Sequence, residues 1–210
     1  MKLSYRITMA AALSLLLCTA ASAQIVINEI DYDQPSTDTA EFIELYNAGN
    51  ATVDLTNYRL SFINGSNVTE YVSVPLTGFS LGAGEFLVVC GNSATTPNCD
   101  LDISPDTNLI QNGAPDAVVL YDGLNVADAV SYEGETAGYG EGTGAPSDTG
   151  ANAFEGISRY PDGNDTDDNH ADFFVRCATP GWPNAAGGAA CSDPVPATES
   201  EWGTIKAMFR

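Results

Sequence analysis

The 210-residue chain sets 28 acidic residues against seven Lys and Arg and a single His, for a formal net charge of -21. Such a charge repels phosphate backbones and anionic bilayers, so nucleic acid is excluded as a partner and cations or basic partners are favoured. A hydrophobic content of 44% still leaves enough apolar side chain for one β domain with a core.

The N-terminus, MKLSYRITMAAALSLLLCTAASAQ, places Lys2 and Arg6 before an apolar run and Ala21-Ser22-Ala23 before Gln24. This pattern predicts a secretory signal peptide over residues 1–23. The run from Met9 to Ala23 is shorter than the ~20 residues a spanning helix requires, so the mature chain is expected to have no transmembrane span. Cys18 follows three leucines and does not read as a lipid anchor. The expected location is secreted or extracytoplasmic, with cell-surface attachment as an option.

The strand-forming part begins at Ile25. Ile25 to Ile30, Phe42 to Tyr46 and Tyr58 to Ile63 are rich in β-branched and aromatic residues and are separated by Asp, Asn, Gly and Pro. Asn64-Gly65 predicts a tight hairpin returning through Val68 to Val74. Gly82-Ala83-Gly84 leads into Glu85 to Val89, a run apolar enough for a central strand. Residues 91–108 read as a long polar loop. Asp116 to Tyr121 and Val126 to Tyr132 form a second hairpin around Asp122-Gly123. The Gly-, Glu- and Thr-rich stretch 133–153 is expected to be exposed, and Phe154 to Tyr160 and Phe173 to Cys177 close the series. About eight or nine short strands at this spacing predict an all-β, two-sheet β-sandwich over residues 24–184. Tyr132, Tyr139 and Phe154 are a candidate outward-facing aromatic cluster.

Residues 185–197 are rich in Pro, Ala and Gly and read as a linker. In the segment 198–210, Thr198 to Glu201 makes a capping box, and Trp202, Ile205 and Phe209 recur at helical spacing. This predicts a short C-terminal helical tail, either packed on the sandwich or serving as a separable tag. Once the signal peptide is removed, the cysteines are Cys90, Cys99, Cys177 and Cys191, for which three pairings exist. Local pairs, Cys90 with Cys99 and Cys177 with Cys191, are preferred because each flanks a turn-rich segment. A bridge over a loop of roughly ten residues contributes ~2 to 3 kcal/mol by loop entropy. Zinc is disfavoured, since neither pair has close spacing and His170 is the only histidine.

Several strings carry a family resemblance when taken in order. They are Ile27-Asn28-Glu29-Ile30; Glu41 to Asn47; Val53-Asp54-Leu55 with Tyr58-Arg59-Leu60; Gly84 to Val89; Asn112-Gly113 to Tyr121; Ser158 to Gly163; and Thr179-Pro180-Gly181 to Asn184. Together they resemble a lamin-tail domain of the kind found in exported bacterial proteins, across roughly residues 24–184. The resemblance implies an immunoglobulin-like sandwich serving as a binding or accessory module, with no catalytic motif to transfer and a protein or cell-surface partner.

Two acidic clusters are candidate sites. Asp31, Asp33, Asp38, Glu41 and Glu44 surround the first loop, and mutual repulsion there would be relieved by calcium, a hard cation taking six to eight oxygens. On a strand over 41–46, Glu41 and Glu44 face opposite ways, and one is expected at a core rim accepting backbone N–H bonds. The second cluster runs from Asp162 to Asp172. It fails as an EF-hand: starting at Asp162 puts Asp167 where Gly is required and Phe173 where Glu is required, and starting at Asp165 puts His170 and Arg176 there. A less regular calcium loop through Asp165 and Asp167 remains an expectation, against a plain Asx-turn cluster. A site shared by the two loops is the alternative that supports a small metal-dependent hydrolase, or an accessory domain of one. No G-x-S-x-G, H-E-x-x-H or P-loop motif is present.

Overall fold

The computed structural model describes residues 24–184 and Cys191. The predicted signal segment 1–23, the linker apart from Cys191, and the predicted helix with Trp202, Ile205 and Phe209 lie outside the described residues.

Twelve strands and one single-turn helix follow in order: β1 Ile25–Asp31, β2 Phe42–Asn47, β3 Val53–Asp54, β4 Tyr58–Asn64, β5 Thr69–Pro75, β6 Ser80–Leu81, β7 Phe86–Cys90, β8 Leu101–Asp102, β9 Asp116–Asp122, β10 Asn125–Tyr132, β11 Glu155–Arg159, α1 Asn169–Asp172 and β12 Phe173–Cys177. Three of them (β3, β6 and β8) are two residues long, too short to show a period of alternation, which accounts for the excess over the predicted number. One sheet runs β12-β11-β1-β2-β7-β8 and the other β10-β9-β4-β5, with β3 and β6 as a separate ribbon. All pairings are antiparallel except β7 with β8. The architecture is the expected immunoglobulin-like sandwich.

The core lies between the two sheets. Ile27, Ile30, Ile43, Leu45, Val89 and Ile157 come from the larger sheet and meet Leu60, Phe62, Val118, Leu120 and Val130 from the smaller. A bulge interrupts the β1–β2 register between Ile27 and Glu29. It changes which residues face the core: Ile25 and Ile27 before it, Ile30 and Tyr32 after it. Glu29 and Asp31 are thereby turned to the opposite face of the sheet.

Several local expectations are corrected. The β4–β5 hairpin exists, but its loop spans residues 65–68, and Val68, not Gly65, holds the positive φ, at 56°. Gly65 is required for a different reason: a Cβ there would lie 2.1 Å from the Pro115 carbonyl oxygen. The 133–153 stretch is exposed over much of its length, as expected, but it is pinned to the sandwich at a few buried positions. Thr136, Ala145 and Asp148 are buried. The Thr136 N–H donates to Ser131 Oγ and the Asp148 N–H to Tyr32 Oη at 2.7 Å in both cases, while Ala145 bridges to Tyr132. These bonds serve the main-chain N–H groups of Thr136 and Asp148, while Thr136 Oγ1 and Asp148 Oδ2 stay buried without a hydrogen-bond partner. Tyr132 is fully buried against Tyr32, with ring centroids 4.4 Å apart, so the proposed aromatic surface cluster does not form.

Both preferred disulfides are present, Cys90–Cys99 and Cys177–Cys191. The first closes the base of the 91–98 loop, and the second joins the end of β12 to the chain beyond Asn184.

Candidate functional site

The outer face of the larger sheet carries a polar layer built from the residues of the resembling strings. Glu29 on β1 and Glu44 on β2 lie directly opposite each other and are both fully buried. The segment after β12 covers them. The Thr179 N–H donates to both Glu29 carboxylate oxygens at 3.1 Å, and the Gly181 N–H donates to Glu44 Oε2 at 2.7 Å. Asn28 Nδ2 donates to Glu44 Oε1 and to Asp162 Oδ1, each at 3.0 Å, while its Oδ1 accepts from the Gly163 N–H. Asn184 Nδ2 completes the clasp by donating to the Arg159 carbonyl oxygen at 2.9 Å. Burial is the main force raising both carboxyls, with Glu44 pushed up to about 8; Glu29 is also raised by its neighbour Glu44.

Glu41, on the other side of the chain, anchors a different loop. Its carboxylate accepts the Leu109 N–H at 2.6 Å and the Ile110 N–H at 2.8 Å. Burial holds it at about 7 although these bonds favour the charged form. The expectation that one of Glu41 and Glu44 binds main-chain donors at a core rim thus holds for both.

At the N-terminal end of β1 stands Arg159, fully buried. Its Nη2 meets the two oxygens of Asp128 at 3.1 and 3.2 Å, its Nη1 meets Asp172 at 3.1 Å and Asp165 at 3.4 Å, and its Nε donates to the Ile27 carbonyl at 2.9 Å. The guanidinium also lies 4.6 Å over the Phe173 ring. Asp128 Oδ2 in turn accepts the Ile27 N–H at 2.6 Å, so this cluster pins β10 of one sheet to β1 of the other. Asp128, Glu141 and Asp165 present carboxylate oxygens within 4.8 Å of one another. Burial, then proximity to Asp128, raises Glu141 to about 7, and burial raises Asp128 to about 6 against the pull of Arg159.

A sequence model of the family described as Lamin Tail Domain matches residues 19–134, more than half of the chain. The chain belongs to the lamin tail domain family. Among curated proteins, none matches it. The matched stretch ends just after β10 of the smaller sheet, while β11 and β12, beyond it in the chain, extend the larger sheet on the far side of β1.

Within this lamin tail domain the five aspartates predicted as metal ligands are dispersed. Asp31 is buried at the end of β1, where Gln34 Nε2 donates to it; burial raises its pKa well above the ordinary value. Asp38 Oδ1 accepts the Gln34 N–H at 2.8 Å, and Asp33 is half-buried near Asn112. Asp165 pairs with Arg159 and accepts from Gln24 Nε2 at 2.9 Å, while exposed Asp167 donates its N–H back to Asp165. Asp165 meets Gln24 ahead of β1 and Asp162 meets Asn28 within it, while Asp31 ends the strand. Among the described residues, the carboxyls grouped closely enough to share one ion are Asp128, Glu141 and Asp165, not acids of the two predicted loops together. His170 is exposed, beside the Asp168 N-cap of α1.

Sequence reasoning missed Arg159, Asp128, Glu141 and Glu29 as site residues. The available signal was an acid or a base inside an otherwise apolar strand: Glu29 within Ile27 to Ile30, and Arg159 after Ile157.

Proposed function

We propose that the chain is an exported, non-catalytic binding or structural module, folded as one sandwich over residues 24–184. The observation that carries this is the use made of its best-placed acids. Glu29, Glu44, Glu41 and Asp128 are buried and hold main-chain N–H groups, so these four carboxyls close loops over the sheet and are not offered to a substrate. Export is supported by two disulfides, which persist in oxidising compartments, and by the signal-like residues 1–23. No helix among the described residues is long and apolar enough to cross a membrane.

Two measurements test this. Purified residues 24–210 are assayed with aryl esters, phosphomonoesters and aryl glycosides in the presence of calcium or magnesium. Turnover that disappears in Glu44→Gln or Asp128→Asn overturns the reading. A periplasm-dependent phosphatase fused after Asn184 should be active in a bacterial host and become inactive when residues 2–23 are deleted.

Calcium stabilisation is a second reading, favoured by the Asp128, Glu141 and Asp165 oxygens within 4.8 Å. With Asp172 they place four acids around one guanidinium, so a divalent cation would offset charge that Arg159 leaves unbalanced. Millimolar calcium should then raise the melting temperature of the wild type but not of Glu141→Gln, and an identical melt in EDTA rejects it.

A further inference from the structure

A groove of about 860 Å³ runs between the 34–40 loop, the disulfide-closed 93–99 loop and Ala153-Phe154. Among the described residues, no ionisable side chain lines it. On a chain with 28 acidic residues this contrasts with two other clefts, of about 370 and 540 Å³, lined respectively by Asp38 and Asp116 and by Glu85 and Asp100. The groove instead presents Thr and Ser hydroxyls and the Asn98 amide oxygen, with Phe154 and two prolines as apolar surface, while the Gln34 amide is taken up by Asp31, Thr39 and Ala40. Its volume is in the range of ligand sites.

The walls are held in place before any ligand arrives. Gln34 Oε1 accepts the N–H groups of Thr39 and Ala40 at 2.8 and 3.0 Å, and Thr95 Oγ1 donates to the Thr39 carbonyl, tying one wall to the other. The Cys90–Cys99 bridge and the bond from Asn98 Nδ2 to the Pro180 carbonyl at 2.8 Å fix the second wall. Beneath the groove lies a small cavity of about 30 Å³ that shares Thr96 and Phe154 with it and reaches Asp31. Thr96 is 2% exposed, and its hydroxyl has no hydrogen-bond partner. Buried hydroxyls are normally bonded; Thr136 Oγ1 and Ser158 Oγ share this state elsewhere in the fold, but Thr96 is the one that also lines the groove, where a polar group entering from it could serve as its partner.

We propose that this groove binds a neutral glycan, with sugar hydroxyls meeting the Thr hydroxyls and the Asn98 amide oxygen and a sugar's C–H face resting on Phe154. An uncharged, hydroxyl-rich ligand matches a lining of hydroxyls and an amide oxygen with some apolar surface. A basic peptide would be drawn to the acidic clefts, and an acidic one would be repelled by the surrounding field. The proposal deepens the reading of the chain as a binding module and rests on it.

Affinity electrophoresis of the intact mature chain through gels containing β-glucan, mannan, starch-type α-glucan or soluble chitin tests it. The expected result is retardation by at least one of them. Thr96→Val should weaken it about tenfold, the worth of roughly one hydrogen bond. Ala94→Trp, a change at an exposed lining position that leaves the core untouched, should abolish it by filling the groove. Leu124→Ser, on the 98% exposed tip of the β9–β10 hairpin, should leave it unchanged. Failure of all four polymers to retard the chain overturns the proposal, as does retardation that Ala94→Trp leaves intact, or competition by an uncharged Ser/Thr-rich peptide in place of sugars. Those outcomes defeat the groove alone; the module reading falls only to turnover in the hydrolase assays.

Discussion

Arg159 shows how much one side chain carries. It is the only cation inside the described cluster of Asp128, Asp165 and Asp172, and its removal would leave two fully buried carboxylates without a counter-charge. Breaking a buried pair from one side typically costs about 3 to 5 kcal/mol. Arg159→Met should therefore lower stability by about that amount in urea unfolding. The double variant with Asp128→Asn should recover part of it, since an amide can still accept the Ile27 N–H without a charge. If the double variant is no better than the single one, the ion pair is not what the arginine provides. Gly156 offers a second residue-level test. A Cβ there would lie 2.7 Å from the Ile30 carbonyl oxygen and 3.2 Å from Asp31 Cα, both backbone atoms of the neighbouring strand. Gly156→Ala should cost about 1 to 3 kcal/mol by overpacking, read from the same unfolding midpoint.

At the scale of elements, the segment 178–184 is no strand, yet it behaves as a lid fastened through Glu29 and Glu44 to the sheet below. Replacing Glu44 by Gln turns an amide NH2 toward either the Asn28 amide or the Gly181 N–H, both of which are donors. A loss of about 1 to 3 kcal/mol is expected, and hydrogen exchange should speed up first in residues 178–184. Exchange that rises uniformly across both sheets would contradict a local clasp. The strands themselves were legible, because β-branched runs with turn residues between them leave few alternatives to a sandwich. The two-residue β3, β6 and β8 were not, since pairing of that length leaves no period in the sequence. The pinning of the 133–153 stretch at Thr136, Glu141 and Asp148 was equally hidden: it depends on Tyr32, Ser131 and Asn169, residues supplied by other elements. Gln34 was not legible as the residue that joins Asp31 and Asp38, one through its amide and the other through its N–H.

For the whole molecule, the raised carboxyls set an unusual pH dependence. Glu41 and Asp148 at about 7, Glu44 at about 8 and Asp128 at about 6 all keep their protons in the folded state at pH values where the unfolded chain has lost them. Between about pH 4.5 and 8 the folded protein thus holds more protons than the unfolded one, and stability falls as pH rises through that window. The melting temperature should be lower at pH 8 than at pH 5 by roughly 5 °C or more. A melting temperature that climbs with pH over the same range would show these acids to be ionised and well compensated in the fold. Repulsion among the many surface acids acts in the same direction, so the measurement belongs at moderate salt, where exposed charges are screened.

The Cys177–Cys191 bridge has a mechanical consequence. If the chain is tethered through residues beyond Cys191, tension enters the sandwich at Cys177, at the end of β12, and never passes through the thirteen residues in between. The lid over Glu29 and Glu44 would then carry no load and could not be peeled. In a reduced protein the same pull would strip the lid before it reached the sheet. Single-molecule stretching from the C-terminal end should show an extra early extension only after reduction. In this protein the disulfide would serve as a strain relief that keeps the surface layer intact under force.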